Sequence, residues 1–381
     1  MNENKRPSRD QKLARLPSLL LPWYDKNRRD LPWRENTDPY RVWVSEIMLQ
    51  QTRVEAAKEH YIRFVRALPD VRALADCPED RLFKLWEGLG YYSRARNLQR
   101  AAKIVAADGF PQDAAGWRAL PGVGSYTAGA ICSICYGLPT PAVDGNVVRV
   151  LSRLLGDGRP QGELRAAFER ELAPAYPRDR CGDFTQSLME LGATVCLPSS
   201  PLCLACPLLP LCETKGDALP AREKKAERRK TAVTLLLFSD GQRLALCRRR
   251  EGVLRGMYCF FCIEAALTPE QVRGFLAAAG LRGFCVGEAE RHRHVFTHIE
   301  WEMTAYPVPL PAGSAESREG APFDPEGALR PPKELLPAGC ACADFCDLQW
   351  FSRGYVEGAL SLPSAFRWAL SAGQGAGKGP A

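Results

Sequence analysis

Four cysteines, two carboxylates and a glycine turn are the residues of this 381-residue chain whose types and spacing suit chemistry. Cys196, Cys203, Cys206 and Cys212 follow C-x6-C-x2-C-x5-C, with Pro198, Pro201, Pro207 and Pro210 stiffening the chain between them. Thiolates this close can wrap one metal centre, either an iron–sulfur cluster or a structural zinc, since both accept four cysteines. The spacing lacks the paired C-x2-4-C knuckles of common zinc sites, which favours the cluster. The turn Leu120-Pro121-Gly122-Val123-Gly124-Ser125-Tyr126-Thr127 lies between two helical patterns and predicts a helix-hairpin-helix. Gly122 and Gly124 are expected to let the backbone turn with its N–H groups uncovered, and Ser125 to cap the second helix. A turn that opens onto a helix start binds anions, and nucleic acid is the commonest large one; an ordinary glycine-rich connection is the alternative. Glu46 shares a helix face with Trp43, Ile47 and Gln50, which makes it a carboxylate among large apolar groups, and Asp144-Gly145-Asn146 follows the hairpin.

Those residues need elements to position them. Asp38-Pro39 supplies an N-cap and first-position proline for a helix through about Gln51. Further helices are predicted near 79–86, 94–107, 113–119, 125–136, 146–155, 161–173 and 183–195, with no strand before 230. The periodicity then changes: 231–238 and 243–247, joined by Asp240-Gly241, predict a hairpin. Thr268-Pro269-Glu270-Gln271 predicts a capped helix, and 292–296 and 299–306 alternate as strands. The expected organisation is multi-domain: a disordered lead (1–12), an all-α domain (13–213) ending in the cysteine loop (196–212), a charged linker (214–230), an α+β domain (231–371) and a disordered tail (372–381). Residues 308–345, rich in Pro, Gly and Ala, read as loop.

A formal net charge of +7 agrees with a polyanionic partner, and 46% hydrophobic content suffices for a core in each domain. The N-terminus lacks an apolar signal-peptide core and no apolar run spans a bilayer, so the expected location is cytoplasmic, nucleoid-associated in a bacterium. Fifteen cysteines there argue for thiols or metal ligands over disulfides. Cys132 and Cys135 have the spacing of core residues. Cys259 with Cys262, and Cys340, Cys342 and Cys346, lack a consistent four-ligand pattern, and His292, His294 and His298 lack an acidic neighbour for a metal triad.

Taken together, the hairpin, the aspartate beyond it and the cysteine loop resemble the helix-hairpin-helix superfamily of base-excision DNA glycosylases with a 4Fe-4S cluster. Leu31-Pro32-Trp33-Arg34, Ser45 to Thr52, Gly88-Leu89-Gly90-Tyr91-Tyr92 and Val143 to Val147 resemble its MutY (adenine glycosylase) branch. The resemblance runs from about residue 20 to 212. The second domain is similar to that family's MutT-like (Nudix-fold) domain through Gly256-Met257-Tyr258 and Arg293 to His298. Two departures are visible, Thr297 where the family commonly has Ser and Phe261 where it often has Pro.

The resemblance implies a monomeric, monofunctional glycosylase that hydrolyses the N-glycosidic bond of adenine opposite 8-oxoguanine or guanine in double-stranded DNA, leaving an abasic site. It makes Glu46 the acid that protonates adenine N7 and Asp144 the anion that stabilises the cationic sugar, with Asn146 and Tyr126 positioning Asp144 and the attacking water. Trp33, Arg34 and Glu190 match the adenine pocket, and Gln51 and Tyr91 match residues that wedge beside the opposite base. Amides of Val123 and Gly124 would hold a phosphate, and Phe296, Thr297 and His298 would read the lesion. The cluster would be structural and present a basic loop to DNA.

Three rivals make different demands. An endonuclease III-type glycosylase and lyase needs an amine where this chain has Tyr126. A Nudix hydrolase needs a carboxylate box after Gly256 that is absent here. A non-catalytic iron–sulfur DNA-binding module would have no use for both Glu46 and Asp144.

Overall fold

Helices account for the regular structure from Arg9 to Thr194 apart from short 3-10 turns: α1 (Arg9–Ala14), α2 (Leu16–Asn27), α3 (Pro39–Leu49), α4 (Val54–Ala67), α5 (Val71–Ala75), α6 (Glu79–Trp86), α7 (Tyr92–Asp108), α8 (Ala114–Ala119), α9 (Ser125–Tyr136), α10 (Gly145–Leu155), α11 (Gln161–Leu172) and α12 (Cys181–Thr194). The computed structural model describes residues 7–221, 227–281, 284–310, 319–322 and 347–372. It divides into two units, Met1–Cys77 with Tyr91–Lys224, and Pro78–Gly90 with Lys225–Ala381. No helix among the described residues is long and apolar enough to cross a membrane.

In the first unit, local chemistry sets the helix starts that matter for the site. Asp38 accepts from the Arg41 amide at 2.9 Å, with Pro39 in the first turn of α3. Asp144 does the same for α10, accepting from the Val147 amide at 2.8 Å. The stripe Val147, Val148, Val150, Leu151 and Leu154 then buries α10 against α11 and α12. Two glycines allow close approach, of a loop to α9 and of α10 to α12. A Cβ on Gly129 of α9 would lie 2.1 Å from the Pro141 carbonyl oxygen, and one on Gly192 of α12 would lie 2.6 Å from Asn146 Cβ.

Part of the expected disordered lead is ordered. Residues 9–12 open α1, where Ser8 and Gln11 form a capping box, Arg9 reaches Asp157 (2.9 Å) and Glu171 (2.6 Å), and Lys12 pairs with Glu213. Arg9 and Lys12, two of the charges that suggested a solvated lead, are paired. Residues 1–6 and 373–381, and with them part of the expected lead and nearly all of the expected tail, lie outside the described residues, as do most of the 308–345 loop and Cys340, Cys342 and Cys346.

The second unit is a mixed sheet with helices: β1 (Arg229–Ser239), β2 (Arg243–Arg248), β3 (Tyr258–Cys259), β4 (Phe261–Ile263), α13 (Pro269–Ala278), β5 (Glu290–Val295), β6 (Ile299–Pro309), β7 (Ala321–Pro322), β8 (Gln349–Ser352), α14 (Arg353–Gly358) and α15 (Ser364–Arg367). The order is β5-β6-β1-β2-β8-β7, with β3 on β2 and β4 on β1. β1 and β2 form the predicted hairpin, Asp240 accepting from the Gln242 and Arg243 amides, whereas β1 and β6 pair in parallel over their whole length. Strand 1 begins at Arg229, inside the expected linker. Helix α6 also belongs to this unit, a departure from an unbroken helical domain over 13–213. Asp80 takes two bonds from Arg248 Nη2 (2.6 and 2.7 Å), and Lys84 Nζ donates to the carbonyls of Glu357 and Leu360.

Candidate active site

A cavity of about 560 Å³ opens in the first unit, lined among others by Trp33, Arg34, Glu46, Gln51, Tyr126, Asp144, Asn146 and Glu190. That size suits a small organic ligand. Gly124 lines it too, whereas Tyr91 and Val123 do not. Glu46, in the third turn of α3, is only 6% exposed and accepts a 2.6 Å hydrogen bond from the Tyr126 hydroxyl. Burial pushes its carboxyl up to about 7; the Tyr126 hydroxyl opposes that rise and the Asp144 charge adds to it. The Tyr126 phenol is driven well above its ordinary value by burial and by both carboxylates.

Asp144 is an N-cap as well as a cavity residue. One oxygen accepts from the Val147 amide and the other from Asn146 Nδ2, both at 2.8 Å. Burial raises its pKa, while these donors favour the carboxylate. Arg149 extends the chain of bonds: Nη2 donates to Asn146 Oδ1 and the Gly192 carbonyl (2.8 Å each), and Nε to the Cys196 carbonyl (2.7 Å). The Asn146 side chain thus holds Asp144, whereas the Tyr126 hydroxyl bonds to Glu46, the first turn of α9 facing α3.

A third carboxylate has the opposite setting. Glu190 is 1% exposed, and Arg29 (Nε 2.7 Å, Nη2 3.1 Å, backbone N 3.1 Å) and Arg34 (Nη2 2.8 Å) both donate to it. Burial pushes its pKa up, but the two guanidiniums outweigh burial and hold it below the usual carboxylate range. Trp33 stands edge-on to Tyr61 at 5.5 Å. Arg29, which sequence reasoning missed, lies in a loop with no periodicity to mark it.

Gln51 and Tyr91 share a backbone property, left-handed φ values of 57° and 46°. Non-glycine residues held there are strained, and such strain collects at functional sites. Arg94 joins them: Nη1 donates to the carbonyls of Ile47 (2.8 Å), Met48 (3.1 Å) and Gln50, and the guanidinium lies 5.5 Å from the Tyr91 ring. Arg94 was not singled out from sequence either.

The hairpin differs from expectation in three details. Gly122 needs its glycine, with φ +79° and a Cβ that would meet Asn97 at 2.8 Å, whereas Gly124 is extended with open space beside it. Gly124, not Ser125, is the N-cap of α9, and the Ser125 hydroxyl donates to Glu169 at 2.8 Å. The Val123 amide is occupied, donating to the Leu120 carbonyl at 3.2 Å, so the uncovered amides belong to the start of α9 itself. Arg165 lines the cavity beside Ser125 and Tyr126.

Cys196, Cys203, Cys206 and Cys212 line one pocket with Val150, Leu154, Leu191 and Leu208. Among the described residues no three His, Cys, Asp or Glu side chains close on a single-ion position. All four cysteines nevertheless line one space, a donor set that fits a metal–thiolate centre. The loop is not basic: no Lys or Arg lies between Cys196 and Cys212, and its tip exposes Leu202 and, at 96%, Leu204. Cys132 is buried in α9 and Cys135 half-buried, while Cys259 faces Cys247 with sulfurs 3.7 Å apart.

In the second unit Phe296, Thr297 and His298 connect β5 to β6. The Phe296 ring packs on Trp301 (4.9 Å) and its amide donates to the Ile299 carbonyl, whereas Thr297 and His298 are exposed.

Residues 44–174 match the family model of the HhH-GPD superfamily base excision DNA repair proteins. The chain is 43% identical over 223 residues to the adenine DNA glycosylase of Arabidopsis thaliana and 46% over 230 residues to that of Mus musculus, covering 51% and 54% of this chain. It spans less than half of those relatives, 35% and 44% of their lengths. Among solved structures, a thermostable thymine-DNA glycosylase superposes with a TM-score of 0.50 at 29% identity, covering 54% of this chain and 97% of that one. The adenine DNA glycosylase of Buchnera aphidicola subsp. Baizongia pistaciae is 35% identical over 251 residues, which are 63% of this chain and 72% of that protein. With the hairpin and the carboxylates that line its cavity, this places the chain in the adenine DNA glycosylase family of helix-hairpin-helix base-excision repair proteins.

Proposed function

We propose that this protein is a monofunctional glycosylase removing adenine opposite 8-oxoguanine or guanine in duplex DNA. The observation that carries the reading is the pairing, in one cavity, of a buried carboxyl with a pKa near 7 and a second carboxylate held by an amide and an amide side chain. Adenine leaves as a poor anion unless it is protonated, and the sugar left behind develops positive charge. Glu46 protonates N7 of the flipped base; Asp144, kept oriented by Asn146, stabilises the sugar cation. Trp33, Arg34 and Glu190 hold the base, Gln51 and Tyr91 wedge into the stack, and the amides at the start of α9 take a phosphate. Tyr126 orients the Glu46 carboxyl.

A lyase step needs an amine near C1′. Among the described residues no lysine lines the cavity, which supports hydrolysis without strand nicking. The four cysteines would hold a 4Fe-4S cluster, a group that supplies structural cross-linking and no chemistry hydrolysis requires. The second unit is read as a MutT/Nudix-like domain, with Phe296, Thr297 and His298 contacting the opposite base.

The test is single-turnover cleavage, developed with alkali, of duplexes carrying A opposite 8-oxoguanine, G, C or T, with borohydride trapping in parallel. Adenine release opposite 8-oxoguanine and G, without a trapped adduct, is expected. Equal release from all four duplexes, or an efficient covalent adduct, would contradict the proposal.

A further inference from the structure

We infer that Arg153 is the clamp and counter-cation of the four-cysteine site, a positioning residue that fixes Cys196 as a ligand and offsets the negative charge of a metal–thiolate centre. The inference rests on the iron–sulfur reading above and extends it to a residue that ligates nothing. Arg153 lies on α10 next to Leu154 and is only 3% exposed, an unusual place for a guanidinium.

Every nitrogen of that guanidinium is engaged. Nε donates to the Leu219 carbonyl (2.7 Å), Nη1 to the Leu197 carbonyl (2.7 Å) and Cys196 Sγ (3.4 Å), and Nη2 to the Pro198 carbonyl (3.1 Å). The backbone carbonyl of Arg153 accepts from the Thr214 amide (3.1 Å) and lies 3.4 Å from Cys212 Sγ. One residue therefore holds the chain entering the loop at the first cysteine and the chain leaving it after the last. A lysine has neither the reach nor the fork to do this.

Charge gives a second, independent argument. Removing a cation from water is costly unless an anion answers it. Among the described residues no carboxylate forms an ion pair with Arg153, whose side-chain partners are three carbonyls and one thiol, whereas Arg149 one turn earlier feels the Asp144 charge. Four neutral thiols would leave the charge unanswered, whereas four thiolates around iron carry net negative charge. An N–H···S bond to a ligand sulfur also draws electron density from the centre and favours its reduced form.

The test uses the full chain, purified as wild type, Arg153→Lys and Arg153→Met, with iron per chain, absorbance near 400 nm, its decay under a ferrous-iron chelator, and the midpoint potential as readouts. Wild type is expected to hold iron. Arg153→Met should lose its absorbance roughly 10- to 100-fold faster, the range typical for residues supporting metal ligands. Arg153→Lys should fall between the two, and any iron centre retained in Arg153→Met should show a lower potential. Should Arg153→Met not fold, Arg153→Lys alone decides, since it keeps the charge and lacks the fork. Decay and potential equal to wild type in the folded variants would overturn the role of Arg153. A wild-type protein without iron would instead overturn the cluster reading and the inference with it.

Discussion

Two walls of one cavity each carry a buried glutamate, and the two glutamates are held in opposite protonation regimes. On the α3 and α9 wall, Glu46 meets a phenol and, across the cavity, another carboxylate; burial wins and its pKa climbs to about 7. On the α12 wall, Glu190 meets two arginines, which overcome its burial and keep it ionised. The same side chain thus titrates near neutrality or stays ionised according to its surroundings. Burial sets the rise at Glu46, and neighbouring guanidiniums reverse it at Glu190.

Removing the proposed proton donor or the proposed sugar-stabilising anion should have the largest effect. Glu46→Gln and Asp144→Asn are each expected to slow single-turnover adenine release by at least ~10²- to 10⁴-fold, the usual worth of general acid catalysis, while duplex affinity stays near wild type. A rate within threefold of wild type for either variant would remove that residue from the mechanism.

On the other wall the expected loss is of stability. Glu190→Gln leaves Arg29 and Arg34 without their shared carboxylate and should cost about 3 kcal/mol in urea unfolding, the low end for breaking a buried pair because Arg29 is partly exposed. An unchanged midpoint would mean that solvent or the polar neighbours satisfy both guanidiniums.

Arg94→Gln releases the carbonyls of Ile47, Met48 and Gln50 and the support under Tyr91 without touching Glu46 or Asp144. The ratio of rates opposite 8-oxoguanine and opposite T should fall by roughly tenfold, within what a misplaced positioning group costs. A lower affinity with the ratio unchanged would make Arg94 merely structural.

The smallest effect is expected at the cysteine loop. Leu204→Lys places one cation on a tip that has none, and if that tip approaches DNA the salt dependence of binding should steepen by about 0.9 in log–log slope. An unaltered slope would put the loop away from the phosphates.

How much of this was legible in the sequence depended on local signals. The α3 start is marked by Asp38-Pro39, α13 by its Thr268/Gln271 capping box, and the β1–β2 turn by Asp240-Gly241; all three are where the sequence analysis expects them. Helix α4 was not predicted although Ala57, Tyr61 and Phe64 line its buried face, because no capping side chain announces its start. The parallel β1–β6 pairing and the membership of α6 in the second unit depend on contacts distant in sequence, which no local period encodes.

The carboxylates and aromatics of the cavity were legible because they fall inside motifs. Arg29, Arg94 and Arg153 were not, since an arginine acting on backbone carbonyls or a distant carboxylate has no spacing rule to reveal it. The bond from the Tyr126 hydroxyl to Glu46 is not legible either, because the direction of a phenol across a helix crossing is a tertiary fact.

The central claim is that Glu46 delivers a proton held by burial near neutral pH. It is tested most directly by the pH dependence of single-turnover adenine release opposite 8-oxoguanine, for wild type and Tyr126→Phe. Glu46 must be protonated to act, so the wild-type rate should fall tenfold per pH unit above about 7. The Tyr126 hydroxyl favours the carboxylate, so its removal should move that alkaline limb to higher pH. A rate independent of pH between 5 and 9, or a limb that moves downward in Tyr126→Phe, would contradict the account.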